Sequence, residues 1–208
     1  RRSRRDGKGV ADQAGHQQRR QELGASSEPG STSRNSTAMG QQGLVKTCQK
    51  IRYGMMAIAC VGIMLSTYAL HVEVAKESNK SYQAMCDISS SISCSKVFTS
   101  RYGRGFGLIG QLFGEDHFLN QPNSIFGIIF YCIVIILGEA KTLKVAKIQL
   151  GLIASSNLMS IYLAYLLYFV LRDFCVICVS TYIVNILLTL LAFKRVSVLQ
   201  RMVKVKSK

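Results

Sequence analysis

Four of the seven cysteines form two close pairs, and these pairs are the most informative chemical feature of the 208-residue sequence. Cys175 and Cys178 make a C-x-x-C motif, which is typical of thiol–disulfide redox sites. Asp173 is a candidate N-cap, so both sulfurs would lie in the first turns of a helix, where the dipole favours the thiolate. Cys178 would lie about 4.5 Å deeper than Cys175. We expect Cys175 to face outward, towards other thiols, and Cys178 to face an apolar ligand.

The second pair, Cys86 and Cys94, lies in a Ser-rich segment that is expected to be flexible. One of the two could attack a Cys175–Cys178 disulfide and then be reset by an external dithiol, which would make the pair an electron shuttle. The alternative is a structural disulfide that pins the segment. The other cysteines are expected to be packing or reduced cytosolic residues: Cys48, Cys60 and Cys132.

Neither a metal nor a bound cofactor is needed for this chemistry. The three histidines supply no second ligand pair with the spacing of a zinc site. The glycines of residues 103–107 lack the spacing of a dinucleotide-binding loop and are interpreted as turn glycines. Two thiols deliver two electrons and two protons, which is the stoichiometry for converting a quinone to a hydroquinone.

The elements that must position these cysteines are predicted from hydropathy, because the apolar residues come in blocks. We predict an all-α integral membrane protein, a four-helix transmembrane bundle with a large lumenal loop between helices 1 and 2. The second block is the shortest, and on length alone a re-entrant or interfacial segment is an alternative. The predicted spans cover about residues 53–72, 123–140, 148–171 and 174–193.

The rest of the chain is assigned by composition. Residues 1–45 are basic and poor in apolar side chains, so they are expected to be a disordered extension. Residues 46–196 would form the four-span catalytic domain, and residues 197–208 a basic cytoplasmic tail. The apolar stretch 105–113 is too short to span and is expected to lie on the membrane surface.

The basic residues predict the orientation. Twenty of the 26 lysines and arginines fall on one side of a four-span bundle, which places both termini in the cytoplasm by the positive-inside rule. This distribution also argues against nucleic acid as the partner of the +15 net charge. Both cysteine pairs then reach the lumenal face, where disulfides can form. A three-span topology would move Cys175 and Cys178 to the cytosol, and we reject it.

Four stretches carry a resemblance to a known family, and they lie between about residues 50 and 195. The sequence resembles the vitamin K epoxide reductase family. The resemblance implies an enzyme of the endoplasmic reticulum membrane that reduces vitamin K epoxide to the quinone and the quinone to the hydroquinone, supporting γ-carboxylation of glutamate. The matching stretches run from Cys86 to Ser95, Arg101 to Gly107, Leu119 to Gly127 and Asp173 to Tyr182.

Roles for the cysteines follow from the resemblance. Cys178 would attack the substrate, Cys175 would resolve the adduct, and the other pair, Cys86 and Cys94, would relay electrons. We expect no fused thioredoxin domain, so the reductant would be a separate lumenal thioredoxin-fold protein. The lipid bilayer would be the other partner.

The resemblance also implies a substrate pocket. Asn123 and Tyr182 match positions that hydrogen-bond the substrate's oxygens. Tyr182 lies four residues after Cys178, hence on the same helix face, and an amide at the end of a span is costly unless it is used. For Asn123 a helix N-cap is an alternative or additional role. The expected apolar pocket residues, which would also bind coumarin anticoagulants such as warfarin, are Phe98, Phe126 and Phe130; ordinary bundle packing is their alternative.

Two other functions use the same residues. A quinone-linked membrane thiol oxidase would run the electrons from folding proteins to the quinone. A non-enzymatic four-span scaffold would carry two structural disulfides, and it predicts that Cys178→Ala leaves function intact. Tyr102 stands where the family usually has Trp, and this difference is expected to alter the lid and the affinity for coumarins.

Overall fold

The computed structural model describes residues 30–88, 93–114 and 117–206. Within these ranges the chain is helical, and the only extended pairing is a single antiparallel bridge between Arg104 and Pro122. The expectation of an all-α chain is confirmed for this part of the sequence. The chain divides into two compact units, residues 1–43 and 44–208, and all the cysteines belong to the second.

In the part of the chain that the structure describes, there are four long and two short α-helices, and two 3-10 turns at Arg101–Gly103 and Gly105–Gly107. Helix α1 is Gly30–Ser78, and the short helices α2 (Cys94–Phe98) and α3 (Ile109–Phe113) follow it in the connection to α4. Helix α4 is Asn123–Glu139, α5 is Leu143–Tyr165 with a π-helical extension Leu166–Leu171, and α6 is Val176–Lys206.

The helices extend beyond the predicted spans. Residues 30–45 are helical, whereas the composition suggested disorder for residues 1–45; residues 1–29 lie outside the described part of the chain. Residues 197–206 of the predicted tail also continue α6. The physical reason is that adding one residue to an existing helix gains a hydrogen bond without a new nucleation cost.

The membrane character is carried by three helices. By length and composition, segments Gln41–Ser78, Leu143–Leu171 and Val176–Val205 can each cross a membrane. Helix α4 is apolar but has 17 residues, or about 25 Å, which is less than the roughly 30 Å of a hydrocarbon core. The four-span count and the lumenal position of the loop therefore stay predictions.

The long helices share one apolar core. Its buried residues come from all four: Met55 and Ala59, Tyr131 and Val134, Ile153, and Val184, Leu188 and Ala192. At the end of α4 the buried guanidinium of Arg195 donates to the backbone carbonyls of Leu137 (3.3 Å) and Gly138 (2.8 Å). A cation at the carbonyl end of a helix satisfies orphan acceptors and complements the helix dipole. Arg195, which was counted only as a topology signal, therefore joins α6 to α4.

Candidate active site

The four paired cysteines lie in a continuous row, which we call the file of cysteines. Cys86 follows α1, Cys94 begins α2, Cys175 directly precedes α6, and Cys178 lies in its first turn. Hydrogen-bonding contacts join the side chain of Cys86 to that of Cys94, Cys94 to Cys175, and Cys175 to Cys178. All four are free thiols in this structure. The fold therefore brings the two pairs into direct contact, through Cys94 and Cys175.

The start of α6 differs from the prediction. The sulfur of Cys175 accepts the N–H of Cys178 at 3.3 Å, and the Cys175 carbonyl accepts the N–H of Val179 at 3.1 Å. Cys175 itself therefore caps the helix, and Asp173 does not. Asp173 instead forms a weak ion pair with exposed Lys96, at 3.9 Å. The Cys175 side chain is 0% exposed, so it faces Cys94 but not solvent.

Burial and mutual contact change the acidity of the thiols. Burial, followed by the hydrogen bond with Cys94, raises the pKa of Cys86 to about 12. The pKa of Cys94 is raised by its hydrogen bond with Cys175 and by burial. With all four cysteines reduced, the Cys86 and Cys94 thiols stay protonated at neutral pH.

This acidity leads to a measurable pH dependence. The thiolate is the reactive form, so alkylation of Cys86 in the reduced protein should be slow at pH 7 and rise about tenfold per pH unit without levelling off below pH 10. Peptide mass spectrometry after brief N-ethylmaleimide treatment measures the rate, with glutathione as the reference thiol. A plateau near pH 9 at Cys86, like that of the reference, would contradict the raised pKa.

Asp87 organises the segment that carries Cys86, and its importance was missed from sequence. Although burial alone would raise its pKa, hydrogen bonds led by those from Ser95 lower the pKa to about 2, so the carboxylate is charged. The contacts are to the Ala84 N–H (3.0 Å), the Ser93 hydroxyl (3.0 Å), and the Ser95 N–H (3.0 Å) and hydroxyl (2.6 Å). Asp87 thus ties the residues beside Cys86 to the start of α2.

The file of cysteines ends at a cavity of about 470 Å³, the size range of small-molecule sites. Among the described residues Cys178 lines this cavity, whereas Cys86, Cys94 and Cys175 do not. The wall is mainly apolar and is drawn from α1, α2, α4, α5, α6 and the 101–107 loop. All the predicted pocket residues line it: Phe98, Asn123, Phe126, Phe130 and Tyr182.

Asn123 is the first residue of α4, but its side chain does not cap that helix. Its Oδ1 accepts the N–H of Phe106 (2.8 Å), and its Nδ2 donates to the carbonyl of Tyr102 (2.7 Å). The amide thus holds the 101–107 loop against the cavity, and its second Nδ2 hydrogen remains for another acceptor. Tyr182, by contrast, makes no hydrogen bond from its hydroxyl to any described residue, which leaves that hydroxyl for a ligand.

The 101–107 loop has an unusual backbone. Gly105, Phe106 and Gly107 have φ values of 52°, 57° and 71°, in the left-handed region that disfavours side chains such as Phe. Phe106 is held there by its N–H bond to Asn123, and its ring packs on Phe126 with centroids 5.2 Å apart. A Cβ added at Gly107 would approach Tyr102 Cδ1 to 2.4 Å, so this position requires glycine. The turn glycines predicted from sequence therefore shape one wall of the cavity.

Comparison with known proteins assigns the family. A model of the vitamin K epoxide reductase family matches residues 53–193. The chain belongs to the vitamin K epoxide reductase family. It is 46% identical over 143 residues to the vitamin K epoxide reductase complex subunit 1 of Rattus norvegicus and 44% identical to that of Mus musculus. Each alignment covers 68% of this chain and 88% of the relative.

Membership of the vitamin K epoxide reductase family identifies the protein as an oxidoreductase with membrane-spanning helices, as the resemblance implied. The matched residues, 53–193, include the whole file of cysteines and the whole cavity. Sequence reasoning missed several cavity residues, most notably Glu73, Phe106 and Asn185. Glu73 carries a charge directly after the first apolar block, a signal that could have identified it.

Proposed function

We propose that this protein reduces vitamin K 2,3-epoxide to the quinone and the quinone to the hydroquinone, using the Cys175–Cys178 dithiol. The observation that carries the proposal is the continuous file of four thiols that ends with Cys178 in the wall of an apolar cavity. The names of the rat and mouse relatives supply the substrate class. Such reduction would support γ-carboxylation of glutamate.

The chemistry balances with two thiols and no bound cofactor. In the epoxide step the Cys178 thiolate attacks the epoxide ring, the C–O bond breaks, and Cys175 then attacks the Cys178 sulfur. The products are the quinone, one water molecule and the Cys175–Cys178 disulfide. In the quinone step, the same dithiol delivers two electrons and two protons, which yields the hydroquinone and the disulfide.

Contact between Cys94 and Cys175 provides the route for regeneration. The Cys94 thiolate attacks the Cys175 sulfur of the disulfide, forms a Cys94–Cys175 bond and releases the Cys178 thiolate. Cys86 then attacks the Cys94 sulfur, which releases Cys175 and leaves a Cys86–Cys94 disulfide. A lumenal thioredoxin-fold protein would reduce that disulfide and complete the cycle.

The setting proposed for this cycle is the endoplasmic reticulum membrane, with four spans and both termini in the cytoplasm. The charge bias across the bundle supports this orientation. Coumarin anticoagulants such as warfarin would compete for the same cavity. Their aromatic rings would pack against Phe98, Phe126 and Phe130.

The direct test is a membrane assay. Membranes that contain the protein are incubated with vitamin K epoxide and dithiothreitol, and the quinone and hydroquinone are separated by chromatography. We expect both products to form, and prior alkylation of the reduced protein to abolish them. Oxidation of a reduced substrate protein at the expense of quinone, without any epoxide turnover, would instead identify a thiol oxidase and overturn the proposal.

Tyr182→Phe should weaken substrate binding while leaving the thiol chemistry in place. Tyr182 lines the cavity, and loss of one hydrogen bond of about 0.5–1.5 kcal/mol from its hydroxyl to the substrate should raise KM roughly two- to tenfold with little change in kcat. Steady-state kinetics with the quinone measure both constants. Tyr165→Phe removes an exposed hydroxyl at the surface and is the matched control. An unchanged KM for Tyr182→Phe would show that this hydroxyl does not bind substrate.

A further inference from the structure

One wall of the cavity contains an ion pair between buried Glu73 and Arg104, whose side chain is 42% exposed, and the redox cycle does not explain its purpose. Glu73, on α1, lines the cavity, and its side chain is only 3% exposed. The Nε of Arg104 donates to its Oε1 at 3.2 Å. A carboxylate in an apolar wall is costly to bury unless it is paired, and apolar residues would fill the same space at no such cost. The ion pair is therefore better explained by a role in positioning the loop than by a contribution to the stability of the fold.

Arg104 lies in the loop that Asn123 holds on both sides of it, through Tyr102 and Phe106. Its backbone pairs with Pro122, and the next residue, Gly105, donates its N–H to the carbonyl of Gln121 at 2.9 Å. The strained backbone at Phe106 follows immediately. A strained segment persists only where several contacts determine it. Asn123 ties this loop to α4, and the Glu73–Arg104 pair ties it to α1.

We propose that the Glu73–Arg104 ion pair is a positioning latch, which holds the 101–107 loop in place as a wall of the substrate cavity beside Cys178. Neither residue takes part in electron transfer. The latch sets how tightly the cavity encloses its ligand and how far Cys178 is shielded from solvent. The proposal rests on the proposed function only in taking the cavity as the substrate site.

The chain offers a matched control on the same arginine. Arg104 also contacts Glu77, one helical turn further along α1, but the Glu77 side chain is 49% exposed. An exposed ion pair contributes little, because water screens it and the side chains lose entropy. Glu73→Gln and Glu77→Gln remove the same charge from the same partner, and they differ in burial and in contact with the cavity.

The first measurement is steady-state reduction of the quinone by dithiothreitol in membranes. Glu73→Gln should raise KM roughly tenfold with kcat within about twofold, because the cysteines are untouched while the enclosure of the ligand is lost. Glu77→Gln should change KM by less than about twofold. The double variant E73R/R104E keeps the pair with its charges exchanged, and it should recover most of the lost KM.

The second measurement requires no turnover. N-ethylmaleimide labelling of the reduced protein, followed by mass spectrometry, gives the alkylation rate of Cys178. We expect this rate to rise roughly fivefold in Glu73→Gln, because the loop then shields the cavity less, and to return towards wild type in E73R/R104E. The alkylation measurement distinguishes failure of the latch from failure of the proposed function. Even if the protein turned over neither quinone nor epoxide, the alkylation rate of Cys178 would still show whether the loop opens.

Two results would overturn the latch. One is a Glu73→Gln variant with unchanged KM and unchanged Cys178 alkylation. The other is a variant in which kcat alone falls, which would place Glu73 in the chemistry. If Glu73→Gln fails to accumulate in membranes, E73R/R104E decides the question: wild-type KM and alkylation in the exchanged pair support the latch, and their failure to recover refutes it.

Discussion

Cys178→Ala should lower reduction of both the epoxide and the quinone by about 10³-fold or more, the scale on which loss of a nucleophile acts. Cys178 is the thiol of the file that lines the cavity, so in its absence no sulfur of the file can form the substrate adduct. The assay is product formation in membranes with dithiothreitol. Equal activity of variant and wild type would refute the dithiol mechanism and favour a structural role for the cysteines.

Two further variants sharpen this prediction. Cys132→Ala removes an exposed cysteine of α4 and should leave activity within about twofold, so it controls for the loss of a thiol as such. Cys175→Ser should also stop turnover, yet it should accumulate a covalent adduct or a charge-transfer absorbance at Cys178, because the resolving sulfur is missing. Cys178→Ser should show neither signal. An adduct that formed at Cys175 instead would reverse the assigned roles.

Asp87→Ala should have the second largest effect, and it should depend on the reductant. The carboxylate holds the Cys86 segment against the start of α2 through three hydrogen bonds from Ser93 and Ser95, so its loss leaves Cys86 poorly positioned against Cys94. We expect turnover driven by a thioredoxin-fold protein to fall roughly 10–100-fold, in keeping with misplacement of a reacting group. Turnover driven by a small dithiol that reaches Cys175 and Cys178 directly should fall much less.

Asp173→Asn is the control for this variant. Asp173 also forms an ion pair near the cysteines, but its partner Lys96 is exposed and 3.9 Å away. Turnover by Asp173→Asn should therefore stay within about twofold of wild type with either reductant. An equal loss with both reductants in Asp87→Ala would mean that Asp87 supports the whole fold rather than the relay.

The pKa of Asp87 predicts a pH limit for the same structure. Its pKa is lowered to about 2 from an ordinary 3.8, so the charged carboxylate stabilises the segment fully above about pH 4 and loses this contribution as the pH falls through 2. Across the neutral range, where the relay operates, the segment should keep its structure.

Local patterns in the sequence determined the elements of this protein. The apolar blocks predicted every long helix, because whether a segment can cross a membrane as a helix depends only on the backbone and side chains of that segment. The spacing of Cys175 and Cys178 predicted redox chemistry, since three residues of helix bring two sulfurs together whatever surrounds them. The family resemblance also implied all five non-cysteine residues that were expected in the cavity wall.

Tertiary packing decided how those elements meet. No local pattern shows that Cys94 contacts Cys175, that Asn123 holds the 101–107 loop, or that Arg104 reaches Glu73, because each contact joins residues at least 17 positions apart in the sequence. The cap of α6 was wrong in the sequence prediction for the same reason: Asp173 and Cys175 are both possible caps, and the contact with α2 selects the cysteine. Distant segments of a chain meet only where helices pack, and packing depends on all the side chains at once.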